Sequence, residues 1–237
     1  MNKLETLKAW IKESDNIVFF GGAGVSTESG IPDFRGTDGL YRQKFEYPPE
    51  RIISHSFYME RPEYFYRFYR EKMMPLNFEP NITHHKLAQW EAEGKLLGIV
   101  TQNIDGLHQK AGNKKVFELH GSILRNFCIE CGKAHTAEFV KNSVGVPRCE
   151  CGGIVKPDVV LYEERLDEDV VEQAISAIIN ADLLIVAGTS LTVYPAAGLV
   201  DYYKKDRLVL INRDETTFDH RADLVFRESL GSIFEQL

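Results

Sequence analysis

Long apolar runs are missing from this chain: no stretch approaches the roughly 18 consecutive apolar residues that mark a membrane-spanning helix, so no span is expected. An excess of positive charge is missing too. The 237 residues carry 28 Lys+Arg against 35 Asp+Glu, a formal net charge of −7, which argues against direct nucleic-acid binding over a broad face, because such faces neutralise phosphates with Lys and Arg. Cysteine is scarce, with four residues all between positions 128 and 151, and that excludes a disulfide-stapled scaffold. Internal repeats and low-complexity tracts are absent, and at 43% hydrophobic the composition is not that of a disordered chain. The opening segment MNKLETLKAWIKESDN has a helical pattern and no uninterrupted apolar core of the signal-peptide kind, so a cytoplasmic location is expected.

What is present is enough chain for one large domain, or for one domain carrying a smaller satellite. Four short apolar runs read as buried strands: Asn16 to Phe20, Leu97 to Thr101, Ala181 to Ala187 and Arg207 to Ile211. Each ends in a glycine-containing or polar segment: Gly21-Gly-Ala-Gly24, Gln102-Asn-Ile-Asp105, Gly188-Thr-Ser190 and Asn212-Arg-Asp214. Helical spacing between them, as in His84 to Glu93 and Asp167 to Asn180, predicts an α/β fold with a parallel, Rossmann-like sheet, whose ligands sit beyond the carboxyl ends of the strands. Two stretches break the alternation. Residues 37–80 are aromatic and proline-containing, and residues 125–155 hold the cysteines; together they are expected to form a small, discontinuous domain, leaving 1–36, 81–124 and 156–237 to the large one.

Four constellations carry chemistry. Gly21-Gly-Ala-Gly24 after a strand is expected to open a helix and to let the backbone approach a pyrophosphate, although such a turn is often only a turn, and it fails the ordinary dinucleotide fingerprint at Thr27. Asp33-Phe34-Arg35 follows it as a candidate flap. Gln102, Asn103 and Asp105 offer amides and a carboxylate to a ribose or carboxamide, more than the helix cap that one of them supplies. His120, in Glu118-Leu-His-Gly-Ser122, is a candidate general base among seven histidines, the alternative being a structural histidine. Cys128-x-x-Cys131 and Cys149-x-Cys151, with 17 residues between the pairs, read as a closed four-thiolate zinc site, structural because no position remains for water; His135 is a reserve ligand. The second pair is one residue short of the usual spacing.

In this order the segments Gly22 to Gly36, Thr101-Gln-Asn-Ile-Asp105, Leu119-His-Gly121, the cysteine pairs, Pro157-Asp-Val-Val160, Gly188-Thr-Ser190 and Ile211-Asn212 resemble the sirtuins, NAD-dependent protein-lysine deacylases, and among them the bacterial type. The resemblance implies a Rossmann-like domain and a small domain of helical insert and zinc ribbon, with NAD and an acyl-lysine protein or peptide meeting in the cleft. It implies that the acyl oxygen attacks C1′ of the nicotinamide ribose, that nicotinamide leaves, and that His120 as base activates a ribose hydroxyl, giving free lysine and O-acetyl-ADP-ribose. Asn103 and Asp105 would orient ribose and carboxamide, and Phe34 and Ile104 would wall the nicotinamide pocket. Gly22, Ala23, Gly24, Thr27, Asp33, Arg35 and Gln102 complete the near side of the NAD site; Gly188, Thr189, Ser190, Asn212, Arg213 and Leu230 hold its phosphate and adenosine end. Val159, Val160, Leu161 and Tyr162 would pair with the substrate peptide.

Three departures stand out: the C-x-C pair; Glu163 where the family usually has glycine, an acidic side chain at the peptide entrance that would favour basic peptides; and Arg70 one step beyond the place from which an arginine grips acidic acyl groups. One helical residue turns a side chain by about 100°, so a neutral acyl group such as acetyl is expected. A monomer is expected. Protein ADP-ribosylation and a non-catalytic NAD or acyl-lysine module are the alternative functions, and the intact His120, Asn103 and Asp105 weigh against both.

Overall fold

The computed structural model describes residues 2–36 and 39–237. Thr37 and Asp38, at the start of the expected insert, lie outside the described residues. Along the chain run α1 (Lys3–Glu13), β1 (Ile17–Gly21), α2 (Pro49–Ile52), α3 (His55–Glu60), α4 (Pro62–Phe68), α5 (Ile82–Ala92), β2 (Leu96–Thr101), α6 (Leu107–Lys110), β3 (Val116–Glu118) and β4 (Gly121–Cys128). They are followed by β5 (Ala134–Thr136), α7 (Ala137–Asn142), β6 (Val155–Val159), α8 (Glu168–Asn180), β7 (Leu183–Ala187), β8 (Leu208–Ile211), β9 (Leu224–Phe226) and α9 (Leu230–Phe234).

Six strands form one parallel sheet in the order β3-β2-β1-β7-β8-β9. The apolar runs are continuous because both faces are covered. Ile17, Phe19, Ile99, Leu183, Ile185, Val209 and Ile211 face Leu7, Ile11, Leu87, Trp90, Leu230 and Phe234, from α1, α5 and α9. Val18, Phe20, Val100, Leu184, Val186, Leu208 and Leu210 face Ala174, Ala177 and Ile178 of α8, together with Ala196 to Val200. All four expected strands are present. The short strands β3 and β9 escaped the sequence pattern because three residues are too few to show a period. Register aligns Gly21 with Thr101 and Ala187, Thr101 with Glu118, and Ala187 with Ile211, so the polar segments leave the sheet from one edge.

A second, antiparallel sheet has the order β5-β4-β6. Its core joins the two non-alternating stretches: Ile52, Phe57, Tyr58, Phe65, Tyr66 and Tyr69 pack with Ile123, Cys128, Val140, Val155, Val159 and Leu161. β4 and β6 therefore run across the expected boundaries at 124/125 and 155/156. The small lobe reaches further into the chain than composition suggested, because Ile123 and Val159 bury against the insert rather than against the large sheet.

Candidate active site

The glycine turn does not open an α-helix as expected. Two short 3₁₀ turns, Ala23–Val25 and Thr27–Ser29, follow β1, and Gly30 closes them at φ 95°. Any anion here meets turn N–H groups instead of the end of a long helix. The close approach is real, however: a Cβ on Gly22 would come within 2.7 Å of Thr189 Cβ, and one on Gly24 within 2.7 Å of Gly188 Cα. Only glycine lets these two crossovers touch, which leaves bare backbone where a pyrophosphate would lie. The Gly24 N–H donates to the Gly188 carbonyl at 2.8 Å, and Thr27 Oγ1 donates back to the Gly24 carbonyl at 3.0 Å. Half-buried Ala23 lies between them in the turn.

Ser26, which the sequence did not single out, is the hub of the next layer. It is buried; its hydroxyl donates to Asp105 Oδ2 at 2.7 Å and accepts from Asn103 Nδ2 at 3.1 Å. One serine after the glycines thus orients two of the three residues expected to hold the ribose. A serine between glycines carries no periodic signal, so only its partners reveal it. Burial pushes the Asp105 carboxyl up, opposed by the bonds from the Leu107 N–H and Ser26. The Leu107 N–H donates to Asp105 Oδ1 at 2.9 Å, but the N-cap of α6 is Gly106, so none of the three polar residues is the expected cap. Gln102 Nε2 donates to Thr189 Oγ1 at 3.0 Å, tying the β2 end to the β7 end, and the Ile104 carbonyl accepts from the Ile123 N–H.

His120 sits where the chain passes from β3 of the large sheet to β4 of the small one. Its Nδ1 lies 3.0 Å from the Gln102 carbonyl. A carbonyl only accepts, so Nδ1 carries the proton and Nε2 presents its lone pair. Burial lowers its pKa, with the Gln102 bond opposing, so the ring is neutral at pH 7.

The remaining histidines are otherwise occupied. His55 Nδ1 meets Glu164 at 2.9 Å, His84 and His108 are buried with ring centroids 4.7 Å apart, and His135 lies against Phe139. His85 and His220 are exposed.

Other expected residues divide. Phe34 packs edge-on to Tyr41, and Arg35 is exposed beside it. Asp33 Oδ1 accepts from the Gly36 N–H at 2.7 Å and folds the loop. Ser190 Oγ pairs with Thr192 Oγ1 at 2.8 Å, Asn212 Nδ2 donates to the Asp214 carbonyl, and Arg213 is exposed. Leu230 starts α9 and packs in the large-sheet core, 8% exposed.

The four cysteines converge. Cys128 and Cys151 sulfurs are 3.4 Å apart, Cys131 and Cys151 3.5 Å, and Cys131 and Cys149 3.8 Å. These separations are far too long for a disulfide and near the about 3.8 Å edge of a tetrahedron with Zn–S bonds of about 2.3 Å. The C-x-C pair reaches because the Cys149 N–H bonds the Gly153 carbonyl and the Gly152 N–H the Cys149 carbonyl, curling the short pair into a knuckle. His135 is outside the set.

The Sir2 family model matches residues 22–195. The chain belongs to the Sir2 family. It is 56% identical over 239 residues to an NAD-dependent protein deacetylase of Clostridium acetobutylicum, covering 99% of this chain and 98% of that one. To another of that name in Clostridium perfringens it is 57% identical over 236 residues, covering 98% and 97%. A solved Sir2 complex with deacetylated p53 peptide and 3′-O-acetyl ADP ribose superposes with a TM-score of 0.91 at 38% identity, covering 99% and 97% of the two chains. A second, with p53 peptide and NAD+, gives 0.87 at 40%, covering 100% and 97%.

Against this family pattern the departures resolve as follows. Glu163 keeps the left-handed backbone of the usual glycine, φ 77°, and its carboxylate accepts from the Ser56 N–H at 2.8 Å and hydroxyl at 3.0 Å. It braces the start of α3 and stays exposed. Arg70 donates to the Val140 and Gly145 carbonyls, away from the crevice, and Tyr66 donates to the Val155 carbonyl at 2.7 Å. Three N–H groups of the expected peptide segment are already used within the chain: Val160 by the His120 carbonyl, Leu161 by Glu164 and Tyr162 by the Ile53 carbonyl. β6 ends at Val159, and the chain then bridges through Tyr162 to the start of α3.

Proposed function

We propose that this chain is an NAD-dependent protein-lysine deacetylase, acting on acetyl-lysine side chains and releasing nicotinamide and O-acetyl-ADP-ribose. The observation that carries the reading is His120, neutral, with its Nδ1–H committed to the Gln102 carbonyl, at the junction of the two sheets. A base so tautomerised takes a proton at Nε2. NAD, when bound, supplies an electrophilic C1′ and the ribose hydroxyls that receive the acyl group. Gly22, Ala23, Gly24, Thr27, Gly188, Thr189 and Ser190 would hold the pyrophosphate along the crossover contact, and Arg35 would add a further contact to NAD. Asn103 and Asp105, locked by Ser26, orient the ribose and carboxamide, and Phe34 and Ile104 exclude water. Asn212, Arg213 and Leu230 border the adenosine end. The substrate backbone docks along 159–162. Arg70's engagement with Val140 and Gly145 supports a neutral acyl group.

Zinc on Cys128, Cys131, Cys149 and Cys151 fastens the small lobe and takes no part in the chemistry, since four sulfurs close its coordination. The reduced thiols this requires support a cytoplasmic setting. The reading involves a monomer and no nucleic acid. Among the described residues no helix is long and apolar enough to cross a membrane.

A panel of acetyl-, propionyl- and succinyl-lysine peptides incubated with NAD tests the proposal. Acetyl-peptide turnover with O-acetyl-ADP-ribose is expected; transfer of labelled ADP-ribose onto protein, with no peptide deacylated, overturns it.

A further inference from the structure

Arg35, Tyr41 and Tyr162 meet between the cofactor-side loop and the segment leaving β6. The Tyr41 and Tyr162 hydroxyls are 3.0 Å apart, Arg35 Nη2 donates to the Tyr162 hydroxyl at 3.4 Å, and the Arg35 guanidinium stands 4.9 Å from the centre of the Tyr41 ring. Phe34 packs edge-on against the same ring at 5.5 Å, and the Tyr41 N–H bonds the Phe34 carbonyl at 2.9 Å. Both side chains proposed to touch NAD from this loop therefore take their positions from Tyr41.

Tyr162 is anchored from the other side. Its N–H donates to the Ile53 carbonyl and its carbonyl accepts from the His55 N–H, so its backbone is fixed to the insert of the small lobe. Its hydroxyl is thus a fixed point to which the loop is tied through the Tyr41 hydroxyl, with the longer Arg35 bond beside it. Burial keeps the Tyr41 phenol protonated, which preserves that bond across physiological pH.

We propose that Tyr162 is a positioning residue: through the Tyr41 hydroxyl it holds Phe34 and Arg35 over the cofactor crevice, so that the segment on the acyl-lysine side sets the affinity for NAD. The proposal rests on the deacetylase reading for what occupies the two sides of the cleft. Without the hydroxyl pair, exposed Arg35 and the Tyr41 ring gain freedom that NAD must remove again on binding, and that ordering weakens affinity.

The test is a double-mutant cycle on NAD binding, read by calorimetry, for the wild type, Tyr41→Phe, Tyr162→Phe and the double variant, with melting temperatures confirming the fold. Each single change is expected to weaken NAD binding roughly three- to ten-fold, the net worth of one hydrogen bond, and the double no more than either single. In turnover, Tyr41→Phe is expected to raise KM for NAD by the same factor while kcat at saturating NAD stays within about two-fold, a split that a general loss of structure does not produce. Unchanged NAD affinity in both singles, or losses that multiply in the double, would overturn the proposal. If the wild type binds NAD but deacylates no peptide, the deacetylase reading fails while the cycle still decides the role of Tyr162; if it binds no NAD, both fail.

Discussion

At the scale of single residues, the account rests on two side chains that do different work. His120 is the proposed base, and burial, which lowers its pKa, sets a sign. The neutral ring is the active form, so kcat/KM is expected to hold from neutral pH down to below the ordinary histidine value of about 6.5 and to fall only as the ring protonates. A pH profile whose acid limb lies above that value contradicts the assignment. Ser26 carries both Asn103 and Asp105. Ser26→Ala leaves the buried Asn103 amide and Asp105 Oδ2 without this partner, while Asp105 Oδ1 keeps the Leu107 N–H, so a loss of about 1–3 kcal/mol in urea unfolding is expected, together with weaker NAD binding. An unchanged variant would show that water replaces the hydroxyl without cost.

At the scale of elements, strain and burial make two further predictions. Gly121 follows His120 at φ 74°, and a Cβ there would strike the Asp158 carbonyl of the neighbouring strand. Gly121→Ala is expected to lower stability by more than about 2 kcal/mol and to displace His120, so thermal stability and turnover fall together. Under α5 and α6, His84 and His108 are buried, with His84 Nε2 and both His108 ring nitrogens lacking a partner among the described residues. Burial holds His108 well below the ordinary histidine value and pulls His84 down to about 4. The unfolded chain binds more protons than the folded one between that value and about 6.5, so stability is full above this window and falls as pH drops through it, by up to about 3 kcal/mol for His84. Chemical denaturation at pH 7 and pH 5 checks this, and His84→Gln should flatten the dependence.

How much of each element was legible follows the same physics. The four central strands and α5 and α8 were readable because runs buried on two faces and amphipathic helices have a period. β3 and β9 were not, being three residues long, and the helix expected after the glycine turn proved to be two 3₁₀ turns ended by Gly30. The motif residues His120, Asn103 and Asp105 were legible one by one. What joins them, Ser26 and the Gln102 carbonyl, was not, because hydrogen bonds between segments 18 to 79 residues apart leave no mark in local sequence.

At the scale of the molecule, a parallel sheet and a metal-fastened lobe meet along a crevice, and each part has its own failure mode. Removing zinc with a strong chelator is expected to loosen the small lobe and abolish peptide turnover while the far-UV signal of the large sheet persists; one zinc per chain should be recovered. Full activity in the zinc-free protein would remove the lobe from the account. The central claim, that His120 in this crevice drives acyl transfer to the ribose of NAD, has a direct measurement. Wild type and His120→Ala are incubated with NAD and an acetyl-lysine peptide, and the products are resolved by mass spectrometry. The account predicts nicotinamide, free-lysine peptide and O-acetyl-ADP-ribose in equal amounts from the wild type, and a drop of at least about 100-fold in the variant with its melting temperature and zinc content retained. O-acetyl-ADP-ribose formed equally fast without His120, or NAD consumed with the peptide still acetylated, would contradict it.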